Sequence, residues 1–88
     1  MEFMKRLGVI GIVVKGDRAV SVNLQELLHD YSDIIVGRMG VPLKAEGVSA
    51  ISVVVLGSNE EISALSGKLG RLDNVNIKSA LLASDILD

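Results

Sequence analysis

The chain has no cysteine, no tryptophan, one histidine and one proline, and its only aromatic side chains are Phe3 and Tyr31 among 88 residues. Each shortage excludes something. Without cysteine there are no disulfides, thiolate metal sites, redox pairs or iron–sulfur ligands. A single histidine excludes a histidine-rich transition-metal cage. Charge of one sign is also missing: nine Lys and Arg against eleven Asp and Glu leave a net charge of -2. Nucleic-acid-binding domains usually carry a strong basic excess, so this balance offers no such footprint. The longest apolar runs, Leu7–Val14 and Ile51–Leu56, fall far short of the roughly 18 residues that would span a membrane. Basic residues before Leu7 mimic the start of a signal peptide, but two glycines interrupt the apolar run and no small-residue cleavage site follows. The cytoplasm is the expected compartment.

What is present is aliphatic: 49% of the chain is hydrophobic. A chain this short buries only about 60% of its unfolded surface and commonly needs a staple. With disulfides and metal cages excluded, self-association is the staple that fits the composition.

The pattern reads as one domain over residues 1–88. Residues 6–15 are rich in Val and Ile and stop at Gly16-Asp17, which predicts a strand. Asp17 suits the N-cap of a helix over 18–31, where Val20, Leu24, Leu27, Leu28 and Tyr31 share one face. Residues 33–44 form a second extended run. Pro42, which lacks an N–H, places that run at a sheet edge. A polar turn at Ala45-Glu46-Gly47 leads to a third strand over 48–57. Ser58-Asn59-Glu60-Glu61 has the spacing of a capping box and opens a helix over 59–71, with Ile62, Leu65, Leu69 and Leu72 on its apolar side. The turn at Asp73-Asn74 precedes a fourth strand over 74–82, and residues 84–88 read as a frayed tail.

The order β-α-β-β-α-β predicts a ferredoxin-like α+β sandwich: a four-stranded antiparallel sheet with both helices on one face. In that topology the first and third strands are central. Those are the two strands apolar at both odd and even positions, while Arg38, Pro42, Lys44, Asn76 and Lys78 fall on the edges. A central strand apolar on both sides needs two covers. The helices supply one, and a second copy of the chain, as dimer or tetramer, is the expected other. Val9, Ile10, Ile12, Ile51, Val53 and Val55 are the candidate interface residues.

Known uses of this fold require residues that are missing. RNA-binding members stack bases on aromatics of the central strands, which here hold only aliphatic and small side chains. Metal carriers of this shape need a cysteine pair. Ser66-Gly67-Lys68-Leu69-Gly70 resembles a phosphate loop only superficially: the preceding glycine and the hydroxyl after the lysine are absent, and the segment falls inside a helix. Gly67 and Gly70 are expected to permit close packing of that helix. His29 has no second ligand near it in sequence and reads as a solvated residue. No nucleophile with its base and orienting carboxylate can be named, so no enzyme and no cofactor are expected. Arg38 is the most suggestive polar position, since a guanidinium clasps carboxylate or phosphate in two-pronged fashion. Its plainer role is an edge-strand charge paired with an acid such as Glu46.

Three runs carry a family resemblance: Leu28-His-Asp-Tyr-Ser-Asp-Ile-Ile-Val-Gly-Arg-Met-Gly-Val-Pro-Leu-Lys, Gly47-Val-Ser-Ala-Ile-Ser-Val-Val-Val, and Ile62-Ser-Ala-Leu-Ser-Gly-Lys-Leu-Gly-Arg-Leu. Over about residues 6–82 the chain resembles the small ACT-like regulators of the iron-only hydrogenase system, relatives of the C-terminal domain of nickel-responsive repressors. The resemblance implies a regulatory role tied to hydrogenase maturation, pairing of sheets between copies, and a small effector, an anion or an amino acid, bound near the first strand–helix turn. Here that turn is Lys15-Gly16-Asp17, and with Arg38 these are the candidate effector-binding residues. The His and Cys ligands of the nickel-sensing relatives are not matched, and any effect on transcription would need a partner protein.

Overall fold

A computed structural model of the chain describes residues 5–16 and 18–82. The elements are β1 (Arg6–Lys15), α1 (Arg18–Asp30), β2 (Ile35–Leu43), a short 3-10 turn (Lys44–Glu46), β3 (Val48–Gly57), α2 (Asn59–Gly70) and β4 (Val75–Leu81). The four strands form one antiparallel sheet in the order β2-β3-β1-β4. This is the ferredoxin-like arrangement, with β1 and β3 central. Asp17 and residues 84–88 lie outside the described residues, so the predicted N-cap and the predicted tail do too.

Alternation along the strands sorts the side chains. Ile10, Ile12 and Val14 of β1 and Ile51, Val53 and Val55 of β3 all point toward the helices and are buried. They meet Leu24 and Leu28 of α1 and Ile62, Leu65 and Leu69 of α2, with Ile34 and Val75 closing the ends. Fully burying one such side chain stabilises the fold by about 1.5–3 kcal/mol. No polar side chain is buried among the described residues, so packing is what holds the layers together.

This sorting corrects the predicted interface. Ile10, Ile12, Ile51, Val53 and Val55 are core residues of a single chain and cannot face a neighbour. Of the predicted set only Val9 stands on the open side, 43% exposed. The open face is built by the opposite parity. There Val9 pairs with Val54 and Ala80, Gly11 with Ser52 and Lys78, and Val13 with Ala50 and Asn76.

Local signals close the helices. The Ser58 hydroxyl oxygen accepts from the Glu61 N–H at 3.1 Å, and the Glu61 carboxylate accepts from the Ser58 N–H at 2.9 Å, completing the capping box. The Lys68 ammonium lies 5.1 Å from the centre of the Tyr31 ring and ties α2 to the segment that follows α1. Such exposed contacts contribute about 0.5–1 kcal/mol. Gly67 and Gly70 do not serve close packing: a Cβ at either would point into open space.

One irregularity decides the geometry of β2. Ile35 pairs with Val55, but Gly37 pairs with Val54, so Val36 is an extra residue bulged out of the ladder. Beyond the bulge Arg38 pairs with Val53, a core-facing position. A bulge shifts every later side chain to the other face. Arg38, Gly40 and Pro42 therefore face the helix side, and Met39, Val41 and Leu43 face the open side.

Candidate functional site

The helix-side positions of β2 carry a guanidinium, a hydrogen and a proline ring, none of which fills space as a branched aliphatic side chain does. Helix α1 has nothing bulky to settle on there, and a cleft remains. It measures about 400 Å³ and lies between Leu24 and Gln25 of α1, the second half of β2, and the turn into β3. Pro42 costs no ladder bond at this edge, which allows the strand to run on to the 3-10 turn.

Two backbone turns form the floor and one end. Gly16 lines the cleft with φ at 136°, a conformation that L side chains rarely adopt, and a Cβ there would come within 3.3 Å of the Asn74 amide nitrogen. The turn is pinned by the Lys15 N–H donating to the Asn74 carbonyl at 2.9 Å. At the other end Gly47, φ 71°, closes the 3-10 turn by donating its N–H to the Lys44 carbonyl at 3.2 Å.

Polar groups enter from the rim. The Arg38 Nη2 donates to the Gln25 Oε1 at 2.5 Å, which fixes the guanidinium against α1. A guanidinium has five N–H donors, so the rest stay available to a ligand. Lys44, Ser21 and Ser49 also line the cleft, and no acidic side chain does so among the described residues. Gln25, not Glu46, is the partner the structure gives Arg38. Chemically the cleft can hold an anion against two cations and an apolar wall.

The structure thus gathers two of the four predicted effector residues, Gly16 and Arg38, around one cavity. Lys15 does not join them. It pairs with Val48, which turns its side chain toward the open face. Ser21, Gln25, Lys44 and Gly47 were missed by sequence reasoning. Lys44 and Gly47 had a usable signal, since Pro42 and the following polar turn end the strand that carries Arg38. Gln25 had none, because its place opposite Arg38 depends on the bulge.

The open face of the sheet is the second candidate feature. A trough of about 560 Å³ runs across its middle, floored by Gly11, Ala50 and Ser52 and flanked by Val13, Met39 and Lys78. Met39 is 64% exposed. His29 is exposed in the last turn of α1, where a basic group complements the helix dipole. No group of three or more potential metal ligands gathers among the described residues. No helix among them is long and apolar enough to cross a membrane.

Fold and cleft together define a ferredoxin-like small-domain class with a cavity at one sheet edge. Residues 6–79 match the family described as "TM1266-like: Iron-only hydrogenase system regulator, putative", and the chain belongs to that family. Its structure is similar to that of uncharacterized protein TM1266 from Thermotoga maritima, at 37% identity and a TM-score of 0.87 over 90% of this chain and 99% of that one. More distant likenesses speak for the fold alone. A formyltetrahydrofolate deformylase from Pseudomonas putida KT2440 matches at 6% identity and a TM-score of 0.61, over 84% of this chain and 28% of that one. CPII, a nitrogen regulatory PII-like protein from Thiomonas intermedia K12 bound to ADP, AMP and bicarbonate, matches at 16% identity and 0.51, over 89% and 96%. No curated protein matches the chain.

Proposed function

We propose that the protein is a regulatory domain of the iron-only hydrogenase system that binds a small effector, an anion or an amino acid, in the cleft between α1 and β2 and works as a homo-oligomer. The observation that carries this reading is the meeting of Gly16 and Arg38, from separate segments, around one cavity. Arg38 is held by Gln25 and clasps the effector's carboxylate, while Lys44 adds attraction at longer range. The apolar wall takes the effector's body.

The route from binding to regulation runs through β2. Its second half is exposed on both faces, and Val41 borders both the cleft and the open-face trough. An effector that orders this half-strand changes the surface offered on the other side. It shifts only the equilibrium whose two states it binds differently, here docking through the open face. Docking of a second copy covers Val9, Val13 and Met39, which otherwise stand in water.

Thermal unfolding with amino acids and small anions tests the binding. A ligand at a hundred times its Kd should stabilise the fold by about 2.7 kcal/mol, and the gain should vanish in Arg38→Gln. Absence of any shift at millimolar concentration would count against an effector. The open apolar face favours a second reading, a ligand-free module that self-associates through its sheet. That reading survives if light scattering shows an oligomer that no ligand perturbs.

A further inference from the structure

The groove between α1 and β2 does not end at Arg38. Gln25 and Arg38 line the cleft described above, and the same two residues line a second cavity of about 350 Å³, together with Leu28, His29, Ser32 and Ile35. The cleft follows α1 back toward Ser21 and β2 on toward Pro42. The second cavity follows α1 on toward His29 and β2 back toward Ile35, so the bonded pair Gln25 and Arg38 divides the two. We propose that the second cavity is an anion site of its own, one that takes a phosphoryl group through Arg38, His29 and Ser32.

Three segments bring those donors to one place. The last turn of α1 presents His29. The chain then winds back through tight turns, with the Ser32 N–H donating to the His29 carbonyl at 3.0 Å and the Ile35 N–H to the Ser32 carbonyl at 3.3 Å, which holds Ser32 close to His29. The bulge at Val36 turns Arg38 to the helix side, where it completes the set. The same turns engage the helix-end carbonyls that an anion would avoid: Leu28 accepts from the Tyr31 N–H at 3.3 Å, and His29 accepts from Ser32.

The donors suit the group. A phosphoryl group carries three strongly accepting oxygens. The imidazole has an N–H in either charge state, the serine has its O–H, and the guanidinium has five N–H donors, of which Gln25 takes one. A planar carboxylate has only two oxygens to share among the three side chains. Gln25 is a neutral amide, so its bond orients the guanidinium without cancelling its charge, and bonds from an ionised donor are the strong ones. Asp30 and Asp33, the acids nearest in sequence, do not line the cavity. Leu28 and Ile35 supply an apolar floor, and the volume is at the small end of ligand sites.

His29 is the single histidine of the chain, so its imidazole resonances report on this cavity without overlap. In an NMR titration of the full chain at fixed pH and ionic strength, inorganic phosphate should move them saturably. Acetate should bind about tenfold more weakly, the scale of one charge-assisted bond. Arg38→Gln should weaken phosphate about tenfold and Ser32→Ala about threefold. His29→Gln should also weaken it, read from the phosphorus resonance of the ligand. Lys78→Gln removes the same charge from the open face and should change nothing. Propyl phosphate separates the sources of the group: equal binding points to free phosphate, and tighter binding to an ester whose body lies along Leu28 and Ile35. Absence of a saturable shift, a shift matched by acetate, or equal losses in Lys78→Gln and Arg38→Gln overturns the proposal. The effector reading is tested apart from it, because Ser32→Ala leaves the lining of the cleft complete.

Discussion

The two edges of the sheet are built to opposite ends. Strand β4 is short, and the helix-side residues of its first half, Val75 and Ile77, are apolar and pack against the core, while Ser79 and Leu81 beyond them are exposed. Strand β2 is longer and presents Arg38, Gly40 and Pro42 to the helix side, where they leave a cavity. The same two-layer sandwich thus has one edge partly closed by packing and one left open. Stability comes from the center, and the cavity lies where packing is given up. Exposed residues along that open edge can change with little effect on folding.

Substitutions can break or sharpen this contrast. The largest effect is expected from Leu65→Ala in α2, a fully buried side chain, which should cost about 2–5 kcal/mol in denaturant unfolding. Val41→Ala on the open edge, 43% exposed, should cost no more than about 0.5 kcal/mol. Comparable losses from the two would mean that β2 is as well packed as the core. Next comes the pair Val13→Glu and Met39→Glu on the open face. It should weaken self-association at least about tenfold by light scattering while the isolated fold stays intact. A preserved oligomer would place the contact elsewhere. Ser58→Ala removes the acceptor of the α2 cap and should cost about 1 kcal/mol. Gly67→Ala acts in the opposite direction. With open space around it, the alanine should raise stability by about 0.5–1 kcal/mol, and a loss instead would show that the glycine has a partner. The smallest stability change belongs to Arg38→Gln, within about 0.5 kcal/mol, because its one side-chain bond is exposed. Its effect should be confined to binding.

Much of the architecture could be read from residue order. The capping box at Ser58 and Glu61, the apolar faces of both helices, and the edge placement implied by Pro42 and Lys78 are all local signals, and each is realised. Facing is where reading stopped. In β1 both parities are apolar, so alternation cannot say whether Ile10 and Ile12 or Val9 and Val13 lie inward. Side-chain size held the hint: the larger isoleucines are buried, and the partners of the open-side residues, Ala50 and Ser52, are small. The glycines of α2 misled because a helical glycine usually marks a close approach, and here nothing approaches. The cleft was half legible. Gly16 stood out as a turn and Arg38 as a charge on an edge, but their meeting depends on a register that no local pattern encodes.

That register hangs on the single extra residue at Val36. Strand parity here follows from that bulge as much as from residue order. Were Val36 drawn into the ladder, every later pairing would slip by one and the strand's two inventories would trade faces, the guanidinium moving to the open face and Met39 to the helix side. Excising Val36 outright would do nothing of the kind: Gly37 would still meet Val54, and Arg38 would still meet Val53. The two faces of β2 are exchanged by a slip of pairing and preserved through the loss of its extra residue.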